Sequence, residues 1–156
     1  PKFVKYNLID HGFLLNLLGI GDSTNSIVKE LLVDNAADLV DKGSLTEMVA
    51  GLELLKYMSP NERHDLYYWQ NLTRGTVSEV DYVLSRGIDI VPMEVKSGLR
   101  GSMASLYVFM EKEHIKYAIR CSLENFGEFV SPKGKKILVN PLYAISNLFS
   151  CGERLL

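Results

Sequence analysis

Two carboxylates and one amine stand at a spacing suited to chemistry: Glu94 follows Asp81 by thirteen residues, and Lys96 comes two residues later. Because strand side chains repeat with a period of two, Glu94 and Lys96 would share one face of a strand. If Asp81 shares that face, two carboxylates and an ammonium meet. A divalent metal on such oxygen ligands, with a lysine beside it, activates water against a phosphodiester. The alternative is a structural ion pair, with Lys96 neutralising one carboxylate and the other facing solvent.

The elements that must position these residues form a predicted β-hairpin. Residues 78–84 alternate polar and apolar side chains, and residues 88–96 are largely apolar, as in two neighbouring strands. Arg86 and Gly87 predict the short turn between them. An aromatic strand over 65–70 precedes the hairpin, followed by a polar turn from Asn71 to Thr76. The three strands therefore form a meander, with the polar trio in the middle of a sheet.

Helices are predicted on both sides of this meander. The clearest runs from Ser44 to about Met58, where Ser44 and Glu47 fit a capping box. Residues 102–113 predict a second helix that crosses over to a strand at 116–122. A short strand at 136–139 and a helix at 142–149 follow. This order predicts an α/β fold, a mixed sheet flanked by helices, with a right-handed crossover. Residues 1–42 predict a strand and a helical N-terminal portion.

Composition narrows the class of protein. The 156 residues suit one domain, and 47% apolar with 23% charged residues is ordinary for a globular chain. A net charge of −2 argues against indiscriminate coating of nucleic acid. Lys133, Lys135 and Lys136 cluster around a turn, which we interpret as a solvated loop, with a local basic binding surface as the alternative. No apolar run approaches a membrane span, so we expect a cytoplasmic protein. The start at Pro1 suggests a piece of a longer polypeptide.

The chain resembles a known family in several local runs. Residues 67–69, 79–84 and 91–98 resemble the C-terminal domain of unknown function found in a family of prokaryotic AAA-type ATPases. Glu47 and Glu53 resemble the two glutamates on that domain's helix. The order of helix, strand, Asp on a second strand and Glu-x-Lys on a third is similar to the PD-(D/E)XK nuclease superfamily. The resemblance implies a restriction-endonuclease-like core over 43–156, with residues 1–42 as a strand and helical cap.

The resemblance also implies roles for individual residues. Asp81 and Glu94 would hold Mg²⁺ or Mn²⁺, Lys96 would orient the attacking water, and Glu47 would complete the acidic site. The implied function is hydrolysis of nucleic acid by a domain attached to an ATPase. No Gly-x-x-x-x-Gly-Lys-Ser/Thr loop occurs, so we expect that ATP is not bound by this chain. The alternative is a non-catalytic module that binds DNA or a protein partner.

Several further residues are weaker candidates for the site. Glu47 fits the capping box as well as an active site. Glu79 is either a spare ligand on the strand of Asp81 or a solvent-facing residue, and Gln70 is a weak candidate for substrate contact. Tyr67, Tyr68 and Trp69 resemble a base-stacking platform, although aromatic residues on a half-buried strand more often pack in the core.

Overall fold

The computed structural model describes residues 42–59, 61, 65–73, 76–99, 101–112 and 114–149, together with Lys5 and Asp10. The strand and helical cap predicted for residues 1–42 otherwise lie outside the described residues, apart from Lys42. In chain order the elements are α1 (Lys42–Tyr57), β1 (Tyr67–Thr73), β2 (Thr76–Arg86), β3 (Asp89–Val95), α2 (Ala104–Met110), β4 (Tyr117–Ser122), β5 (Gly127–Val130), β6 (Lys136–Pro141) and a 3-10 helix (Leu142–Leu148).

The strands form one six-stranded sheet in the order β1-β2-β3-β4-β6-β5. β1, β2 and β3 are an antiparallel meander, and α2 then connects β3 to β4, which runs parallel to it. β6 is parallel to β4, and β5 is antiparallel to β6. The predicted α/β class, a mixed sheet flanked by helices, is therefore confirmed. β2 and β3 lie inside the sheet, as expected for the polar trio.

Each face of the sheet has its own apolar core. One core includes Ala50 and Leu54 of α1, and Met93 of β3 packs with them. The other includes Leu106 and Met110 of α2. Each core removes apolar side chains from water on one face, which is the main favourable term in folding. The two helices are thereby fixed on opposite faces. Within the described residues, no helix is both long and apolar enough to cross a bilayer.

A β-bulge interrupts β2 at Asp81. Tyr67 pairs with Val83 and Trp69 with Val80, so the single residue Tyr68 lies opposite two residues of β2. The extra residue resets the alternation of side chains. Val80 consequently packs in the α2 core and Tyr82 in the α1 core, although both would share one face of a regular strand. The prediction of strict alternation through this strand was wrong at this residue.

The remaining differences from the predicted elements have local causes. Residues 71–73 and Thr76, predicted to belong to a turn, are strand residues of β1 and β2. Ser44 is the third residue of α1 and not its N-cap, since the helix begins at Lys42. The last helix is 3-10, kinked at Ala144. The edge strand β5 was missed because all four of its residues are exposed, so that no buried face marks it.

Candidate functional site

Asp81 lies where β2 and β3 separate. The last paired residues of the two strands are Tyr82 and Met93. Beyond them, the carboxylate Oδ2 of Asp81 accepts a hydrogen bond of 2.7 Å from the backbone N–H of Val95. The side chain thus replaces the carbonyl that a continuous ladder would supply. One oxygen of Asp81 is committed to the backbone, and this bond fixes the orientation of the carboxylate between the two strands.

Glu94 and Lys96 form the second part of the site. Lys96 Nζ donates to Glu94 Oε1 at 2.6 Å, and the side chain of Glu94 is only 8% exposed. The other oxygen, Glu94 Oε2, is buried and has no hydrogen-bond partner among the described residues. Buried polar atoms are almost always paired, so an orphaned carboxylate oxygen points to a missing partner. A methyl group at Gly101 would lie 2.7 Å from Lys96 Cδ, so this glycine leaves room for the lysine.

Glu47 and Glu79 form an acidic cluster with Asp81. One carboxylate oxygen from each lies within 4.8 Å of the others. Glu47 comes from α1, and it is placed there because Tyr82 donates its hydroxyl proton to the Glu47 carbonyl at 2.8 Å. Gly51 lets this tyrosine approach, since a Cβ at that position would lie 2.5 Å from the hydroxyl oxygen. Helix and strand are thus locked together at the site.

Lys5 supplies the cation of this cluster. Its Nζ lies 2.6 Å from Glu47 Oε1 and also forms an ion pair with Glu79. The ring centroid of Tyr68 lies 5.1 Å from the same nitrogen, a cation–π contact. Burial by itself would lower the pKa of Lys5, but the hydrogen bonds and charges of both glutamates outweigh burial and raise it. Lys5 is therefore held as an ammonium ion.

Burial and like charges raise the pKa values of the central carboxyl groups. The pKa of Asp81 rises from 3.8 to about 7, first because of burial and then because of the charge of Glu94. The hydrogen bond from Val95 opposes this rise, and Glu47 adds to it. Burial also raises the pKa of Glu94, and Lys96 only partly offsets that effect. Asp81 is thus coupled electrostatically to both parts of the site.

Several of the residues predicted for the site lie together, but not as the pair that was expected. Asp81 joins Glu47 and Glu79, whereas Glu94 is outside the group of mutually close oxygens. Glu94 lies on β3 between Met93 and Val95, which pack in the α1 core, so by alternation it leaves the strand on the opposite face. Its charge is nevertheless near enough to raise the pKa of Asp81. The metal pair of Asp81 and Glu94 stays a prediction. Glu79, which we had left as a spare ligand or a solvent-facing residue, is a half-buried member of the cluster.

The other candidate residues have identifiable neighbours. Gln70 Nε2 donates to Glu79 Oε2 at 3.3 Å, and Gln70 Oε1 is buried without a partner among the described residues. Trp69 packs against Phe109 of α2 with ring centroids 5.0 Å apart, which confirms the core interpretation for this side chain. Tyr67, by contrast, is 64% exposed.

The chain matches the model of a family described as Domain of unknown function (DUF4143) over residues 42–145. The chain belongs to this family. No curated protein and no solved structure matches it. The DUF4143 match includes Glu47, Glu79, Asp81, Glu94 and Lys96, but it begins after Lys5. The site therefore combines side chains of the DUF4143 domain with a cation from outside the matched residues.

Lys5 is the site residue that sequence reasoning missed. It precedes Glu47 by 42 residues and belongs to a segment that we read only as a predicted strand. No spacing rule connects a lysine there to a carboxylate on a later helix. The usable signal was an excess of negative charge. Three acidic residues, with Glu79 as a possible fourth, were expected near a single lysine, and a buried site tolerates such an excess poorly.

Proposed function

We propose that this DUF4143 domain is a nuclease-like module that hydrolyses phosphodiester bonds of nucleic acid with the help of Mg²⁺ or Mn²⁺. The order of elements supports this proposal: a helix, three antiparallel strands, a helix and a parallel strand, with acidic residues where two strands separate. This is the arrangement that the resemblance to PD-(D/E)XK nucleases implies. A likeness of fold does not by itself establish chemistry, so the proposal depends on the site.

The observation that carries the proposal is the orphaned oxygen of Glu94. A carboxylate that is 92% buried costs free energy unless its oxygens are paired or bind a cation. The six charged groups of the site are four carboxylates and two lysines, so full ionisation leaves two negative charges in excess. One divalent cation would neutralise that excess. The donor atoms are all carboxylate oxygens, which suit Mg²⁺ or Mn²⁺ better than zinc or copper.

The spacing of the carboxylates also fits such an ion. Ligands on opposite sides of Mg²⁺ lie about 4.2 Å apart, because each metal–oxygen distance is about 2.1 Å. The oxygens of Glu47, Glu79 and Asp81 lie within 4.8 Å of one another, so small shifts of their side chains would suffice. In this proposal Asp81 and Glu94 would hold the metal, and Glu47 would complete its ligands. Asp81 and Glu47 belong to the close group, whereas Glu94 would bind through its unpaired oxygen Oε2.

The residues would then share the work of hydrolysis. A metal held by Asp81, Glu94 and Glu47 would supply Lewis acidity towards the phosphate and would lower the pKa of bound water. Lys96, held at 2.6 Å from Glu94, would orient the attacking water and offset charge that develops on the phosphate oxygens. Asp81 is kept in place by the N–H of Val95, so its orientation is set before substrate arrives. Nucleic acid would be the substrate, and an attached AAA-type ATPase would be the partner.

The test is a cleavage assay with Mn²⁺ on the wild type and Asp81→Asn. Asparagine keeps an oxygen that accepts from Val95, so the variant should fold but lose about 100-fold or more of the activity, as metal ligands do. Asp89→Asn is the matched control, because Asp89 lies at the far end of the same hairpin, paired with Lys116. Plasmid DNA, single-stranded DNA and RNA are tested in parallel. Equal cleavage by wild type and Asp81→Asn contradicts the proposal.

A second candidate function is a non-catalytic module that binds DNA or a protein. The internal pairing of the site favours it: Lys5 engages Glu47 and Glu79, and Lys96 engages one oxygen of Glu94. The exposed edge strand β5 is a candidate surface, with Phe129 and Val130 accessible on it. This candidate predicts binding that does not depend on metal and that Lys96→Ala leaves almost unchanged.

A further inference from the structure

The cation of the acidic cluster is part of the chain itself. Lys5 Nζ contacts Glu47 Oε1 at 2.6 Å and pairs with Glu79, which are two of the three residues whose oxygens converge. The ring centroid of Tyr68 lies 5.1 Å from the same nitrogen. A positive charge therefore already contacts two of the three carboxylates that a metal in this cluster would use.

A divalent cation and Lys5 compete for the same oxygens. Two cations that approach within a few ångströms repel each other, and the repulsion is stronger where the groups are partly buried. The side chains of Lys5 and Glu47 are 28% and 24% exposed, so solvent screens them only in part. If Glu47 Oε1 accepted from Lys5 and also bound a metal, the two cations would lie within a few ångströms of each other. Metal binding through the cluster is therefore weaker while Lys5 stays in place.

We propose that Lys5 is a built-in competitor of the metal, so that the site takes up a divalent cation fully only after the ammonium of Lys5 has been displaced. This inference rests on the proposed function, because it concerns the regulation of the same site. A second observation supports a missing ligand next to this cluster. Glu94 Oε2 is buried without a partner among the described residues, and the charge of Glu94 acts on Asp81, the third member of the cluster.

The origin of Lys5 gives the competition a direction. Lys5 lies outside residues 42–145, which match the family, whereas every carboxylate of the site lies inside them. The acidic groups thus belong to the DUF4143 domain, and their counter-charge is added by a preceding part of the chain. Anything that draws Lys5 away, such as a nucleic-acid phosphate that pairs with its ammonium, would open the cluster to metal. Phosphate is a chemically suitable competing partner for Lys5, since lysine binds phosphate as a point charge.

The first test is calorimetric titration of Mn²⁺ into the whole chain. Lys5→Met removes the charge and should tighten Mn²⁺ binding by about tenfold or more, while Lys5→Arg keeps the charge and should bind like the wild type. Lys56→Met is the matched control, because Lys56 pairs with Glu53 in an exposed position of α1. Binding by Lys5→Met that is equal to or weaker than that of the wild type overturns the inference.

A second measurement needs no variant and so does not depend on the folding of Lys5→Met. An amine-acylating reagent is applied to the wild type, and the modification of each lysine is followed by mass spectrometry. Because coupling between two ligands is reciprocal, Mn²⁺ should raise the labelling rate of Lys5 several-fold and leave Lys56 unchanged. Labelling of Lys5 that stays constant or falls as Mn²⁺ is added counts against displacement.

The two proposals fail in different ways. Tighter Mn²⁺ binding by Lys5→Met without any cleavage supports the competition and contradicts the hydrolytic function. Cleavage by the wild type with equal Mn²⁺ affinity in Lys5→Met supports hydrolysis and overturns the competition. If neither protein binds Mn²⁺, both the metal site and its competitor are rejected, and the binding module remains.

Discussion

The acidic site and the turn around Lys133 are both rich in charge, yet their charges have different surroundings. The acidic site is formed by Lys5, Glu47, Glu79, Asp81, Glu94 and Lys96, and its ion pairs are partly buried. In the basic turn, formed by Lys133, Lys135 and Lys136 between β5 and β6, they are open to water. Lys133 pairs with Glu111 and Lys136 with Glu128, each at 2.7 Å, and all four side chains are at least 47% exposed.

The basic turn is a structural connection. Lys135 Nζ donates to the carbonyls of Met110 at 2.5 Å and Lys112 at 2.8 Å, and thereby binds the end of α2 to the turn. Exposed ion pairs such as those of Lys133 and Lys136 contribute about 0–1 kcal/mol. No lysine of the turn presents an unpaired charge among the described residues. The interpretation of these lysines as a solvated loop therefore describes the geometry better than a nucleic-acid surface.

The comparison teaches that an excess of buried charge, not the number of charges, marks a candidate site. The turn matches each lysine to an acceptor, whereas the acidic site holds four carboxylates against two lysines and leaves Glu94 Oε2 without a partner. Such an excess costs folding free energy. A bound ligand of opposite charge would offset this cost. The difference between the two regions can be measured through the free energy of unfolding. That free energy should change with pH, with the replacement of a lysine and with the replacement of an aromatic ring.

The largest effect is expected from the pH dependence of Asp81. Its pKa is 3.8 when unfolded and about 7 when folded, so between these pH values the folded protein binds a proton that the unfolded chain does not. Stability that is fully present below pH 3.8 is therefore lost as the pH rises to about 7. One pKa unit corresponds to about 1.4 kcal/mol, so the loss is at most about 4 kcal/mol. Urea unfolding at a series of pH values measures it.

The test variant for this experiment is again Asp81→Asn, and Asp89→Asn is again its control. The free energy of unfolding of Asp81→Asn should not fall between pH 4 and 7. Relative to the wild type, this variant should therefore become more stable as the pH rises. Asp89→Asn should follow the wild-type profile. A saturating concentration of Mn²⁺ should reverse the trend above pH 7, because a bound cation favours the ionised carboxylate. A wild-type profile identical to that of Asp81→Asn would mean that Asp81 is not strained by burial.

The second effect belongs to the basic turn and should be smaller. Lys135→Met removes two charged hydrogen bonds to backbone carbonyls and should lower the free energy of unfolding by about 1–3 kcal/mol. Lys133→Met removes an exposed ion pair and should change it by less than about 0.5 kcal/mol. Neither variant should alter Mn²⁺ affinity. A change in that affinity would break the separation between the two regions.

Much of the fold follows from the sequence because its cause is local. The hairpin over 78–96 was predicted from alternation and the Arg86-Gly87 turn, and β2 and β3 are joined there. The crossover helix and the parallel pairing of β3 with β4 follow from the order of the elements. The all-exposed strand β5 and the bulge at Asp81 did not follow, because neither leaves a periodic apolar pattern. The strand β5 and the bulge both arise from pairing with a neighbouring strand, which the sequence pattern of one segment does not show.

The candidate site was predictable in its residues but not in its pairing. Glu94 and Lys96 were expected to lie together from their spacing alone, and they form the 2.6 Å ion pair. Glu47 and Asp81 converge because Tyr82 fixes α1 to β2, a contact between distant parts of the chain. The role of Lys5 depends on a contact of the same kind. Spacing rules describe one element at a time, and such contacts lie beyond them.

The smallest effect should come from the ring beneath Lys5. A cation–π contact at a partly exposed site contributes about 0.5–1 kcal/mol. Tyr68→Leu should therefore lower the free energy of unfolding, with Tyr67→Leu as the matched control, because Tyr67 is on the same strand and 64% exposed. A double-mutant cycle with Lys5→Met isolates the contact, since loss of the ring should cost less when the ammonium is absent. A coupling energy near zero would show that Glu47 and Glu79 alone retain Lys5. The competition with metal would then depend only on carboxylates that the metal itself would bind.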